Sequence, residues 1–169
     1  MDDDNHGGDD SWISRGCMKF IVRPAVIADA DKIQGLLYPH YFNESVFKTL
    51  KYNAQSTRDV INGYFDGGVV LIAEDGEKAI GFCVLSAGRT FYDDIEADVE
   101  MFFVLPEYRG SGVSREMIKN VVAAADMNGA AVIYSSCLSG IGEKNDSLWK
   151  NLWGKYGFKQ LGTIMMRSK

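Results

Sequence analysis

Two groups of residues in this chain combine types and spacing that suit chemistry. The first is Arg109-Gly110-Ser111-Gly112-Val113-Ser114, which follows the apolar pair Val104-Leu105 and opens onto an amphipathic stretch. The first turn of a helix has backbone N–H groups without intrahelical partners, and the helix dipole adds partial positive charge. Phosphate-like anions are the natural complement of such a terminus. Glycines at 110 and 112 let the backbone come close to a diphosphate, and Arg109 adds charge. The run is not a P-loop, which needs Lys and then Ser or Thr after its last glycine. Nor is it a dinucleotide fingerprint, which needs three spaced glycines. Taken alone, Gly-x-Gly fits an ordinary strand-to-helix turn equally well. The second group is acidic: Glu96, Asp98 and Glu100 recur at alternate positions just before the turn. Such carboxylates accept protons or steer a cation, although a charged run on a half-exposed strand is also simply solvated.

These groups need elements to hold them, and the hydrophobic pattern supplies a series. Lys19 to Arg23 reads as a strand stopped by Pro24, and Asp29 caps a helix through Tyr38 with Ile33, Leu36 and Leu37 on its stripe. A helical turn is expected within 46–52, and a second helix from Thr57 to Phe65 has Val60, Ile61 and Tyr64 on one face. Val69 to Glu74 and Ala79 to Ser86 flank Asp75-Gly76, a hairpin signal. Glu96 to Leu105 is a strand whose alternation puts Asp98, Glu100, Phe102 and Val104 on one face, and Val99, Met101, Phe103 and Leu105 on the other. A helix from Ser114 to Asn128, a buried-type strand from Ala131 to Leu138, a helix from Ser147 to Tyr156 and a last strand from Lys159 to Arg167 complete the order. Three antiparallel strands followed by a β-α-β crossover make a mixed α/β sheet.

Composition bounds the partners. The 169 residues fit one domain over 18–169, preceded by an acidic segment 1–17 read as a disordered tail or an added extension. That segment holds five Asp and one Arg, so −4 of the net charge of −5 resides there. The remainder is nearly neutral, which argues against nucleic acid as a partner. No apolar run approaches a membrane span and no secretory signal is visible, so a cytoplasmic protein is expected. Cys17, Cys83 and Cys137 are too scattered for a metal or redox motif, and His6 and His40 are the only histidines, so no metal site is expected.

With order and loop together, the chain resembles the GNAT superfamily of N-acetyltransferases. Arg109 and Gly112 match that family's diphosphate loop, with Ser114 where Gly or Ala is usual, and Gly157-Phe158 after the last helix is a further shared feature. The resemblance covers about residues 19–167 and implies acetyl-CoA as co-substrate and an amine of a small molecule or protein as acceptor. It implies that the backbone of Phe103, Val104 and Leu105 would bond the pantetheine arm, and that amides from Arg109 through Ser114, including Gly110, Ser111, Gly112 and Val113, would hold the diphosphate. Asn145 stands where relatives often place an Asn against pantetheine, though a helix cap by Asn145 or Asp146 fits too. Glu100 is the expected base, with Glu96 and Asp98 as alternatives. Relatives often carry a general-acid Tyr four residues before the closing Gly; here that position is Trp153, and an indole N–H cannot practically give up a proton. Tyr134 is a substitute candidate. The alternative is a GNAT-like domain that binds acyl-CoA with weak or no turnover. Tyr38, Tyr41, Phe42, Phe47 and Tyr52 could line an acceptor pocket or pack as core. Few residues follow Gly157, so an open sheet edge near Thr163 to Arg167 is expected, left short or covered by a partner in a homodimer.

Overall fold

In the computed structural model, residues 19–89, 91–136 and 143–161 are described, with the side chains at 46, 47 and 143–145 excepted. The elements are β1 (Phe20–Pro24), α1 (Ala30–Leu36), α2 (Phe42–Glu44), α3 (Ala54–Gly67), β2 (Gly68–Asp75), β3 (Lys78–Gly88), β4 (Ile95–Val104), α4 (Val113–Met127), β5 (Ala130–Ser135) and α5 (Glu143–Gly154). The five strands form one sheet in the order β1-β2-β3-β4-β5. The first four run antiparallel, and β5 joins β4 in parallel after the α4 crossover. The expected last strand falls largely on residues outside the description.

The sheet separates two layers. On β3, Gly81 lies close to Met117 of α4, whereas its neighbour Phe82 meets Phe103. Phe103 in turn meets Tyr41, which precedes α2, so successive β3 residues look to opposite layers. The core is apolar on both sides: Ile72, Ile80 and Phe82 from the strands, and Val113, Met117, Ile118, Val121 and Ala125 from α4, are buried. The last five recur at helical spacing, which is why this stretch forms a helix and why it faces the sheet.

Several boundaries differ from the sequence reading, each for a physical reason. Helical backbone does not stop at Pro39. Wide turns continue through Leu37–Tyr41, and only Tyr38 is extended, at φ −95 and ψ 104, as the residue before a proline prefers. Helix α3 starts three residues early because the Asn53 side chain accepts a hydrogen bond from Ser56 N at 3.0 Å. Its Val60 is 50% exposed and so leaves the stripe that buries Ile61. Asp29 stands at the α1 N-cap without capping it. Its carboxylate instead accepts from Arg23 Nη1 and Nη2 at 2.8 and 2.9 Å, and from Val26 N at 2.9 Å. Strand β5 is not the buried type: Val132 is 43% and Tyr134 39% exposed.

The strand before the glycine turn holds the most consequential difference. Val84 pairs with Met101 and Leu85 with Val99, so Glu100 is an extra residue, a bulge, and the alternation resets there. Phe102 faces the α5 layer, against Trp149 and Trp153, while Asp98 is the partner of Ser86, which shares the face of Val84 and Phe82. Asp98 and Glu100 therefore lie on the face opposite Phe102 and Val104, not with them.

Candidate active site

Strands β4 and β5 are paired only from Ile95 with Ala130 to Val99 with Ser135. Among the described residues, β4 runs on to Val104 without that neighbour, which leaves an opening like a fork beyond the last pair. A cavity of about 790 Å³ occupies the opening, with Met101, Phe102, Phe103 and Val104 on its floor and Trp149 and Leu152 of α5 on one wall. At the last pair, Ser135 Oγ is buried and has no hydrogen-bond partner among the described residues. Alternation decides which backbone groups face the opening. Leu105 N donates to Ile80 O at 2.9 Å, and Phe103 O lies against Gly81, so both residues are turned to β3. The groups on the open side belong to Phe102 and Val104.

The glycine turn forms one end of the cavity. Gly110 and Gly112 have φ of 87 and 104, a backbone region that side chains disfavour. The first intrahelical bond of α4 runs from Glu116 N to Gly112 O, so the amides of Val113, Ser114 and Arg115 precede it. Ser114 and Arg115 line the cavity, and Lys155, just past the end of α5, is a further cation there. The turn is fastened from behind: Ser111 Oγ donates to Tyr108 O at 2.6 Å, and Tyr108 Oη donates to Asp75 Oδ2 at 2.9 Å. The β2–β3 hairpin thus positions the loop.

Arg109 lines the opening, but its guanidinium is already engaged. Its Nε donates to Val104 O at 3.0 Å, its Nη2 pairs with Glu44 Oε2 at 2.6 Å, and the guanidinium lies 5.7 Å from the centre of the Phe103 ring. The pair is half in solvent, where such contacts contribute about 0–1 kcal/mol.

Away from the turn, the wall comes from the α2–α3 layer, with Tyr41, Phe42, Leu50 and Tyr64. Glu100 is on this wall and accepts a hydrogen bond from Ser86 Oγ at 2.8 Å. Burial, and then the Glu100 and Asp98 carboxylates, push the Tyr64 hydroxyl upward, so it stays protonated and can donate. Asp98 is also raised, by burial and then by Glu100, but it is not among the residues lining the cavity.

The remaining sequence candidates separate. Glu96 pairs in register with Gly88 and Val132, toward the far end of β4. Tyr134 of β5 is the register partner of Asp98 and is not part of the lining. Trp153 is 3% exposed, wedged among Phe102, Trp149 and Phe158, and its buried Nε1 has no hydrogen-bond partner among the described residues. The side chains of Asn145 and Phe47 lie outside the description, as do Cys17 and Cys137. Cys83 is fully buried and burial pushes its thiol up, which leaves it inert. Tyr38 and Tyr52 stack at 4.3 Å behind the wall. Sequence reasoning missed Tyr64, Arg115 and Lys155. Arg115 was signalled by its place one residue past the turn; nothing beside Tyr64 marks it.

Among the described residues, no helix is long and apolar enough to cross a membrane, and no cluster of His, Cys, Asp and Glu is placed to hold a metal. An open β4 edge beside a glycine-led helix terminus suits an extended ligand that ends in a phosphate-like anion. The sequence model of the acetyltransferase (GNAT) domain matches residues 66–160, and the chain belongs to that family. Solved structures of the same fold include an acetyltransferase of Trypanosoma brucei, 15% identical, covering 89% of this chain and 100% of that one at a TM-score of 0.67. An aminoglycoside N-acetyltransferase, AAC(6')-Iy in complex with CoA, is 18% identical over 89% and 95% of the two chains, at 0.67. Glucosamine-6-phosphate N-acetyltransferase from Arabidopsis thaliana is 15% identical over 89% and 98%, at 0.65. No curated protein matches the sequence.

Proposed function

We propose that the protein is an acetyl-CoA-dependent N-acetyltransferase that acetylates a primary amine by direct attack on the thioester. The observation that carries this reading is the fork between β4 and β5, which opens between a helix N-terminus at one end and a carboxylate at the other. The AAC(6')-Iy structures, with CoA or a CoA-linked substrate analogue bound, support the same reading by analogy of fold.

The residues present fit the co-substrate. The amides of Val113, Ser114 and Arg115, with the cations of Arg115 and Lys155, suit a diphosphate. The open-side backbone of Phe102 and Val104 suits the amides of a pantetheine arm. Arg109 is assigned to holding the turn against β4, through Val104 O, rather than to the diphosphate itself.

Acetyl-CoA supplies the electrophilic carbonyl carbon. An amine attacks only when neutral, so Glu100 takes its proton, directly or through water. The new C–N bond forms as the C–S bond breaks, and the electron pair leaves with sulfur as the CoA thiolate. Tyr64, kept protonated, is a neutral donor on the same wall as Glu100 and suits the developing oxyanion.

A second reading, acyl-CoA binding with little turnover, is favoured by Trp153, whose burial leaves that position without a proton donor for the departing thiolate. One experiment separates the two: acetyl-CoA titration, then release of CoA thiol across a panel of amines and peptides. Release well above hydrolysis is expected. Binding without release would establish the second reading, and no binding would refute both.

A further inference from the structure

The acceptor end of the cavity has a chemical character of its own, and the inference drawn from it rests on the N-acetyltransferase reading. We infer that the acceptor is a monoamine carried on an aromatic or branched apolar group, rather than a polyamine or a polycationic sugar. The wall away from the glycine turn is built from Tyr41, Phe42, Leu50, Tyr64 and Met101. Its rings are held by one another: Tyr41 and Phe42 meet edge to face at 5.6 Å, and Phe42 packs on Tyr52 at 5.5 Å. A wall locked in this way is ready for a flat apolar group without reordering.

Charge on the wall limits the number of ammonium groups it can accept. Among the described residues, two carboxylates line the cavity, Glu44 and Glu100, while Asp98, two residues before Glu100, is outside the lining. Glu44 is neutralised by Arg109 at 2.6 Å, whereas Glu100 faces a neutral hydroxyl, that of Ser86, at 2.8 Å. One anionic partner is left for one ammonium. A second ammonium on the same ligand would be stripped of water against tyrosine and phenylalanine rings with no carboxylate of its own. Toward the other end it would meet Arg115 and Lys155. An apolar substituent gains on this wall what a second charge loses, since each well-fitted apolar group in such a pocket is worth tenfold or more.

The test is isothermal titration of the CoA-saturated protein with 2-phenylethylamine, spermidine and kanamycin, which requires no turnover. Phenylethylamine is expected to bind at least about tenfold more tightly than either polycation. Equal or tighter binding of spermidine or kanamycin overturns the inference, as does binding of none of the three. Phenylethylamine that binds selectively but is never acetylated would refute the catalytic reading while upholding the ligand class. Leu50 is 68% exposed, so Leu50→Glu adds a carboxylate to the rim without disturbing the core. It is expected to shrink the phenylethylamine preference at least about threefold, by improving spermidine. A preference unaltered by Leu50→Glu would show that the acceptor does not lie against this wall.

Discussion

Gly112→Ala tests the glycine turn most directly, because the structure separates its two effects. Gly112 stands at φ 104 and ψ −13, immediately before α4. A Cβ added there would meet nothing closer than Arg115 Nη2 at 3.7 Å and Phe20 Cζ at 3.8 Å, which is ordinary contact. Steric room is therefore not the obstacle; the backbone conformation is, at about 1–2 kcal/mol. For a chain of this size the loss corresponds to a fall in Tm of about 2–8 °C. Relaxing that strain turns the peptide planes at the head of α4 and re-aims its free amides. A hydrogen bond to a charged oxygen is worth about 1.5–3 kcal/mol, so losing one would weaken acetyl-CoA binding by about 10- to 150-fold. Gly129 supplies the control. It has φ 72, open space around its Cβ position, and lies just past the opposite end of the same 15-residue helix, about 22 Å away. Gly129→Ala should lower Tm by a similar amount and leave the acetyl-CoA Kd unchanged. Thermal melts and calorimetric titration of both variants decide the matter. If Gly112→Ala keeps its Kd within about twofold of the parent while losing stability, the turn is not the diphosphate site.

Glu100→Gln should lower kcat by about 100-fold or more and move the rate profile to higher pH, since attack then depends on amine that is already neutral; acetyl-CoA affinity should hold. An unmoved profile removes Glu100 as the base. Trp153→Tyr should not raise kcat, because the position is buried under Phe102 rather than turned to the cavity, and should cost about 1–3 kcal/mol in chemical denaturation. A tenfold gain in kcat would contradict that packing. Arg23 holds the Asp29 carboxyl at about 2 against an ordinary 3.8, so the charged form is favoured in the fold and its contribution is complete above pH 4. Asp29→Asn should therefore cost about 2 kcal/mol at pH 7 and only about 1 kcal/mol at pH 3, because the parent loses this contribution as pH falls toward 2. Glu74 moves the same way: burial alone would raise it, but hydrogen bonds from Lys32 and Arg23 hold it down, so the parent's own acid sensitivity should be the greater. Equal losses from Asp29→Asn at both pH values would mean that shape, not charge, carries the effect.

The sequence by itself determined what depends on near neighbours. The Asp75-Gly76 hairpin, the α4 stripe from Val113 to Ala125, and the glycine turn between a strand and a helix are all written within a dozen residues, because turn chemistry and helical periodicity are local. From them came the element order, the mixed sheet and the loop suited to a diphosphate. Tertiary structure decided the rest. The bulge at Glu100 is set by how β4 registers on β3, so strict alternation put Glu100 on the wrong face, with Phe102. The Arg109 guanidinium was available to any anion until α2, 65 residues earlier, brought Glu44 to it. Trp153 matched the position of a proton donor by count alone; packing against Phe102, Trp149 and Phe158 made it a wedge. Tyr64 joined the site only because α3 packs on β2 and β3 over the face of the sheet that carries Glu100. In each case the deciding partner is remote along the chain, and the free energy that fixes it is a packing or pairing term that no local spacing records.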